Sequence, residues 1–128
     1  MLDFVFNILH NFIGEVPIKK TPILVKFEEL ASFPIGEILH THEGLSGELI
    51  SVEGDNLHFR ANMKKGIVLP SHYHDCTEFL LVFQGKLKDN ESGKVISKAR
   101  LLEIKPYTTH VIEAMEDTVF YMTFKKVR

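Results

Sequence analysis

Within the stretch GIVLPSHYHDCTEFLLVFQG, from Gly66 to Gly85, two histidines stand one residue apart and a glutamate follows the second after three intervening residues, all inside a strongly apolar run. His72, His74 and Glu78 are imidazole and carboxylate donors, which suit one divalent transition metal: Fe(II), Mn(II), Ni(II), Cu(II) or Zn(II). No cysteine pair lies nearby, which argues against a thiolate zinc knuckle. If the first half is a strand, His72 and His74 point to the same side and can reach one point. A turn at Asp75–Thr77 then brings Glu78 alongside on the next strand. Such groups are costly to bury without compensation, and a divalent cation supplies it. The best candidate for a fourth ligand is His110, just after the Pro106 turn at the start of another apolar strand. Four ligands leave two octahedral positions open for a small-molecule ligand or substrate.

The elements that must position these groups read as β. Beyond Pro17, short runs rich in Val, Ile, Phe and Leu are separated by turn compositions such as EGDN, KKG, DNESG and MED. Strands are expected over residues 23–27, 36–39, 48–52, 57–63, 67–73, 79–83, 94–97, 101–104, 110–113 and 118–124. The fold class is therefore all-β, an antiparallel sandwich or barrel, and closure into a barrel or jelly roll deals with the sheet edges. Ahead of it, Leu2, Val5, Phe6, Leu9, Phe12 and Ile13 recur at helical spacing and predict a short amphipathic N-terminal helix. The expected division is a helical segment over residues 1–20 and a barrel domain over 21–128.

At the histidine cluster the sequence resembles the cupin family, whose first motif is Gly, five residues, His, one residue, His, three or four residues, Glu, six residues, Gly. Gly66, His72, His74, Glu78 and Gly85 fill every fixed position. In the second motif Pro106 and His110 are kept, but Tyr107 stands where a glycine is expected and Ala114 where an asparagine is. The resemblance spans about residues 35–125. It implies a small single-domain β jelly roll with His72, His74, Glu78 and His110 as metal ligands. Relatives range from dioxygenases and isomerases to ligand-binding regulators, so the family does not choose a function.

Composition narrows the partners. At 128 residues and a formal charge of −2, the chain offers one domain's core and no broad basic field for a nucleic-acid backbone. The first thirteen residues lack a basic start and a cleavage site and are too short to span a bilayer, so no membrane association is expected. Cys76 is the only cysteine, which excludes an internal disulfide and fits a reducing cytoplasm. Cys76 itself reads as buried and inert, and HTHE at His40–Glu43 as a solvated loop.

Inward Leu80, Val82 and Ile112 would share a fairly dry pocket with the metal ligands. In LHFRANM, Arg60 and Asn62 join that pocket if the polar face looks inward and meet solvent if it does not. A dry pocket favours a dioxygenase-like metal enzyme acting on a small phenol, diketone or thiol over a sugar isomerase; the alternative is a non-catalytic, metal-bearing sensor or binding domain. The unbroken run from Phe79 to Phe83 demands cover on both faces, and a homodimer is the expected means.

Overall fold

The computed structural model describes residues 22–42 and 44–128. The expected N-terminal helix, and any boundary near residue 20, lie outside these residues. Eleven strands and one short helix follow in the order β1 (Ile23–Leu24), α1 (Phe27–Ala31), β2 (Ile38–His42), β3 (Leu45–Glu53), β4 (Asn56–Met63), β5 (Val68–Tyr73), β6 (Thr77–Gln84), β7 (Lys86–Asp89), β8 (Val95–Ser97), β9 (Leu101–Ile104), β10 (His110–Ala114) and β11 (Thr118–Lys125). They form a five-stranded sheet in the order β1-β5-β10-β7-β8 and a six-stranded sheet in the order β2-β3-β4-β11-β6-β9. Every named pair is antiparallel except β1 with β5, so the all-β jelly roll expected from the sequence is the fold observed.

Period-two alternation decides what each strand buries. Along β4, Leu57, Phe59, Ala61 and Met63 are buried while His58, Arg60 and Asn62 look outward; along β6, Glu78, Leu80 and Val82 are buried. The core between the sheets has two parts. Phe120, Val82, Leu87, Met63 and Ile112 make one, and Leu49, Leu57, Phe59, Val25 and Phe124 the other.

Three expectations need correction. The strand expected over 23–27 stops at Leu24, because FEELA forms a turn of helix instead. There the Lys26 N–H donates to Glu29 Oε1 at 2.9 Å and the Phe27 N–H to Asp75 Oδ1 at 2.8 Å, so two of the helix's orphan donors are satisfied. The described part of HTHE, residues 40–42, is not a loop but belongs to edge strand β2, where His40 pairs with Ser46 and His42 with Leu45. Strand β7 was not anticipated, because its two lysines mask an alternation in which only Leu87 and Asp89 turn inward.

The outer face of β6 is uncovered among the described residues. Leu81 is 39% and Phe83 56% exposed, and Leu101 on neighbouring β9 is also exposed.

Candidate metal centre

The four candidate ligands come from three strands that topology makes neighbours. His72 on β5 is the direct cross-strand partner of His110 on β10, and their rings lie 4.0 Å apart between centroids. His74 follows the end of β5 on the same side, and the bend through Asp75 and Cys76 leads into β6, where Glu78 turns inward. All four side chains are buried. Ligand atoms of His72, His74 and His110 lie within 4.8 Å of one another, and Glu78 Oε1 stands 3.3 Å from both His74 Nε2 and His110 Nε2.

Each ring is oriented by its other nitrogen. His72 Nδ1 lies 2.7 Å from the Pro70 carbonyl, His74 Nδ1 2.9 Å from that of Val25, and His110 Nδ1 3.0 Å from that of Thr108. A carbonyl only accepts, so each Nδ1 carries the proton and donates. In the neutral ring the lone pair then sits on Nε2. His74 Nε2, His110 Nε2 and Glu78 Oε1 are fully buried and have no hydrogen-bond partner. Buried polar atoms without partners are rare and call for an explanation, and a cation among them supplies one. The residues present therefore fit a metal.

The electrostatics agree. Burial, with His110 and His74 close by, holds the His72 imidazole well below its ordinary range and keeps it neutral. Burial alone would lower His110 as well, but the Glu78 carboxylate outweighs it and raises that ring. Burial would push Glu78 up, yet His110 and His74 together hold its carboxyl well below the usual range. The Cys76 thiol is pushed up to about 12 by burial, Asp75 and Glu78, so no thiolate competes at this site.

An arm running from Ile23 to Phe33 closes one side. Strand β1 pairs with β5 at His72 and Tyr73, the Val25 N–H donates to the Tyr73 carbonyl at 2.9 Å, and the Val25 carbonyl holds His74. Leu30 and Phe33 from the same arm wall a cavity of about 150 Å³ that the four polar groups also line. The rest of the wall is largely hydrocarbon, including Phe59, Leu80, Ile112, Phe120 and Phe124.

Of the pocket residues expected from sequence, Leu80 and Ile112 reach this cavity. Val82 is fully buried in the adjacent core without reaching it. Arg60 and Asn62 do not reach it, since inward Phe59 and Ala61 fix their strand's outer face. Arg60 stands 3.8 Å from Glu48 there, and Asn62 is exposed at a separate surface groove. Residues that sequence reasoning missed include Val25, Leu30 and Phe33, which lie far upstream of the motif and come to it only through the arm, and Gly47 and Ala61 on the facing sheet.

The backbone conformations at Gly85 and at Tyr107 both favour glycine, and nothing in the structure explains the tyrosine at 107. Gly85 has φ +101°, and a Cβ there would lie 2.5 Å from Asp117 O, so no side chain fits. Tyr107 also has a positive φ, 62°, directly after Pro106, the place where a type II turn favours glycine. Its N–H donates to the His74 carbonyl at 2.8 Å, which ties this turn to the ligand cluster.

This architecture is the cupin fold, and its inward face carries three imidazoles and a carboxylate. No protein-family model matches the sequence, and no curated protein matches it either. Among solved structures, the chain is similar to KdgF from Halomonas sp. at 18% identity and TM-score 0.65, covering 72% of this chain and 89% of that one. It is also similar to an RmlC-like cupin from Shewanella frigidimarina, at 20% identity, TM-score 0.64 and coverages of 76% and 92%. An acetylacetone dioxygenase from Acinetobacter johnsonii matches at 19% identity and TM-score 0.58, over 64% of this chain and 60% of that one. No helix among the described residues is long and apolar enough to cross a membrane.

Proposed function

We propose that His72, His74, His110 and Glu78 hold one divalent transition metal, and that the protein is a dioxygenase-like, metal-dependent enzyme acting on a small organic molecule. The observation that carries this reading is the set of unpartnered Nε2 and Oε1 atoms on rings already locked by their Nδ1–H bonds, at the wall of an apolar cavity. A bound metal supplies Lewis acidity and open coordination positions to a substrate oxygen or sulfur. The three backbone carbonyls hold the imidazoles in the ligating tautomer, so little ordering is needed on binding. Glu78 contributes the one carboxylate of the set, offsetting part of the metal's charge. The hydrocarbon wall leaves the ligand cluster as the main polar feature for orienting a substrate.

A cavity of about 150 Å³ is small, the size that holds a benzene-like molecule. It suits a phenol, short diketone or thiol. A sugar would leave several hydroxyl groups facing hydrocarbon without partners. An acetylacetone dioxygenase is built on the same fold. The uncovered apolar face of β6 supports a homodimer.

The test is oxygen uptake by protein loaded anaerobically with iron, using phenols, diketones and thiols, beside turnover assays of sugars with manganese, nickel and zinc. Uptake with the first panel is the expected result. Turnover of a sugar alone would overturn the substrate class, and silence in both panels with metal bound would make the protein a metal-bearing sensor or binding domain.

A further inference from the structure

The inward face of the six-stranded sheet carries large side chains except at one spot. Along β3 the inward positions are Leu45, Gly47 and Leu49, and along β4 they are Leu57, Phe59, Ala61 and Met63. Gly47 and Ala61 are direct cross-strand partners, and Ala61 in turn faces the fully buried Phe120 on β11. The two smallest residues of neighbouring strands thus fall side by side and leave a hollow. Both line the cavity that holds the histidine cluster.

Nothing in the backbone requires glycine at position 47. Its φ is not in the left-handed region, and a Cβ there would meet only the Arg60 carbonyl oxygen, at an ordinary 3.8 Å. Glycine weakens a strand interior, and where no turn or bulge needs it, it often marks close approach of a ligand or of another backbone. What Gly47 provides is room.

We propose, resting on the metal-centre reading above, that Gly47 and Ala61 determine specificity by forming the compartment for the apolar body of the ligand. That ligand is a small, neutral, largely flat molecule of about benzene size. Its oxygen-bearing end faces the cluster of His72, His74, His110 and Glu78. Side chains larger than those at positions 47 and 61 take the ligand's place and leave the metal's ligands untouched.

Two probes separate this compartment from the metal site. The first is benzene added to metal-free protein, followed by thermal melting; the second is acetylacetone titrated into nickel-loaded protein, followed by calorimetry. Wild type should be stabilised by benzene and should bind acetylacetone. Gly47→Val should lose the benzene effect and bind acetylacetone about tenfold more weakly or worse, the scale set by crowding a pocket with a few methyl groups. Its metal affinity should stay within about twofold of wild type, as expected for a site none of whose ligands has changed. Should Gly47→Val fail to fold, Gly47→Ala should shift affinity in the same direction, and Ala61→Gly should bind ethylbenzene more tightly than wild type does. The compartment is overturned if wild type binds neither probe, or if folded Gly47→Val binds both as wild type does, even with metal in place. If no metal binds but benzene still stabilises wild type and not Gly47→Val, the compartment stands and the metal reading falls.

Discussion

Removing the metal should lower the melting temperature by an amount that follows from the site. His74 Nε2, His110 Nε2 and Glu78 Oε1 are buried without hydrogen bonds. In the metal-free fold these atoms have only one another for compensation, with Glu78 Oε1 standing 3.3 Å from each Nε2. A metal that binds only the folded chain, present at about a hundred times its Kd, stabilises by about 2.7 kcal/mol. For a domain of this size each kcal/mol moves Tm by about 4 °C, which makes a shift of about 10 °C. The assay is thermal melting by circular dichroism of chelator-treated protein, repeated with iron, manganese, nickel or zinc at concentrations fixed by titration. His74→Ala removes one ligand and should abolish the shift. A change below about 2 °C with every metal, or an equal shift in His74→Ala, would refute the reasoning, because mass action at a single folded-state site allows neither.

Metal affinity should weaken in acid, because a ligating imidazole must be neutral. In the metal-free protein burial opposes the His110 proton, but Glu78 prevails and holds it above the ordinary imidazole range. The ring therefore competes with the metal from above pH 6.5 downward, about tenfold in affinity per pH unit for that one proton; titrations giving the same Kd at pH 6 and pH 8 would contradict this. Cys76, with its thiol near 12, should react very slowly with a disulfide reagent at pH 8, where about one thiol in ten thousand is ionised. Unfolding in urea should restore ordinary labelling, and rapid labelling of the folded protein would place the thiol at the surface. Light scattering should report a dimer at micromolar concentration that Phe83→Asp converts to a monomer; a monomeric wild type removes the homodimer.

The convergence of His72, His74, Glu78 and His110 was legible because strand alternation and a spaced motif are local properties. His72, His74 and Glu78 needed only a period of two and one turn, and His110 needed only a strand start after proline. The side each strand presents was less legible. LHFRANM alternates equally well with either face inward, and the choice that turned Arg60 and Asn62 outward was made by the apolar bulk of Phe59 and Met63 packing across the sheets. Strand β7 escaped notice because a four-residue strand with two lysines carries almost no periodic signal. The arm was invisible for another reason. Val25 touches His74 across 49 residues of chain, a contact no local pattern encodes.

That arm has a thermodynamic consequence. The same short segment presents the carbonyl that orients His74 and the Leu30 and Phe33 side chains that wall one side of the cavity. Whatever loosens the arm therefore opens the chamber and unfixes a ligand ring in one motion, and whatever occupies either place holds the arm down. If a cation and a small molecule bind as proposed, reciprocity requires that each tighten the hold on the other by the same factor. The amide protons of Val25 and Phe27 would register both events, exchanging with deuterated water most slowly when the two guests are present together.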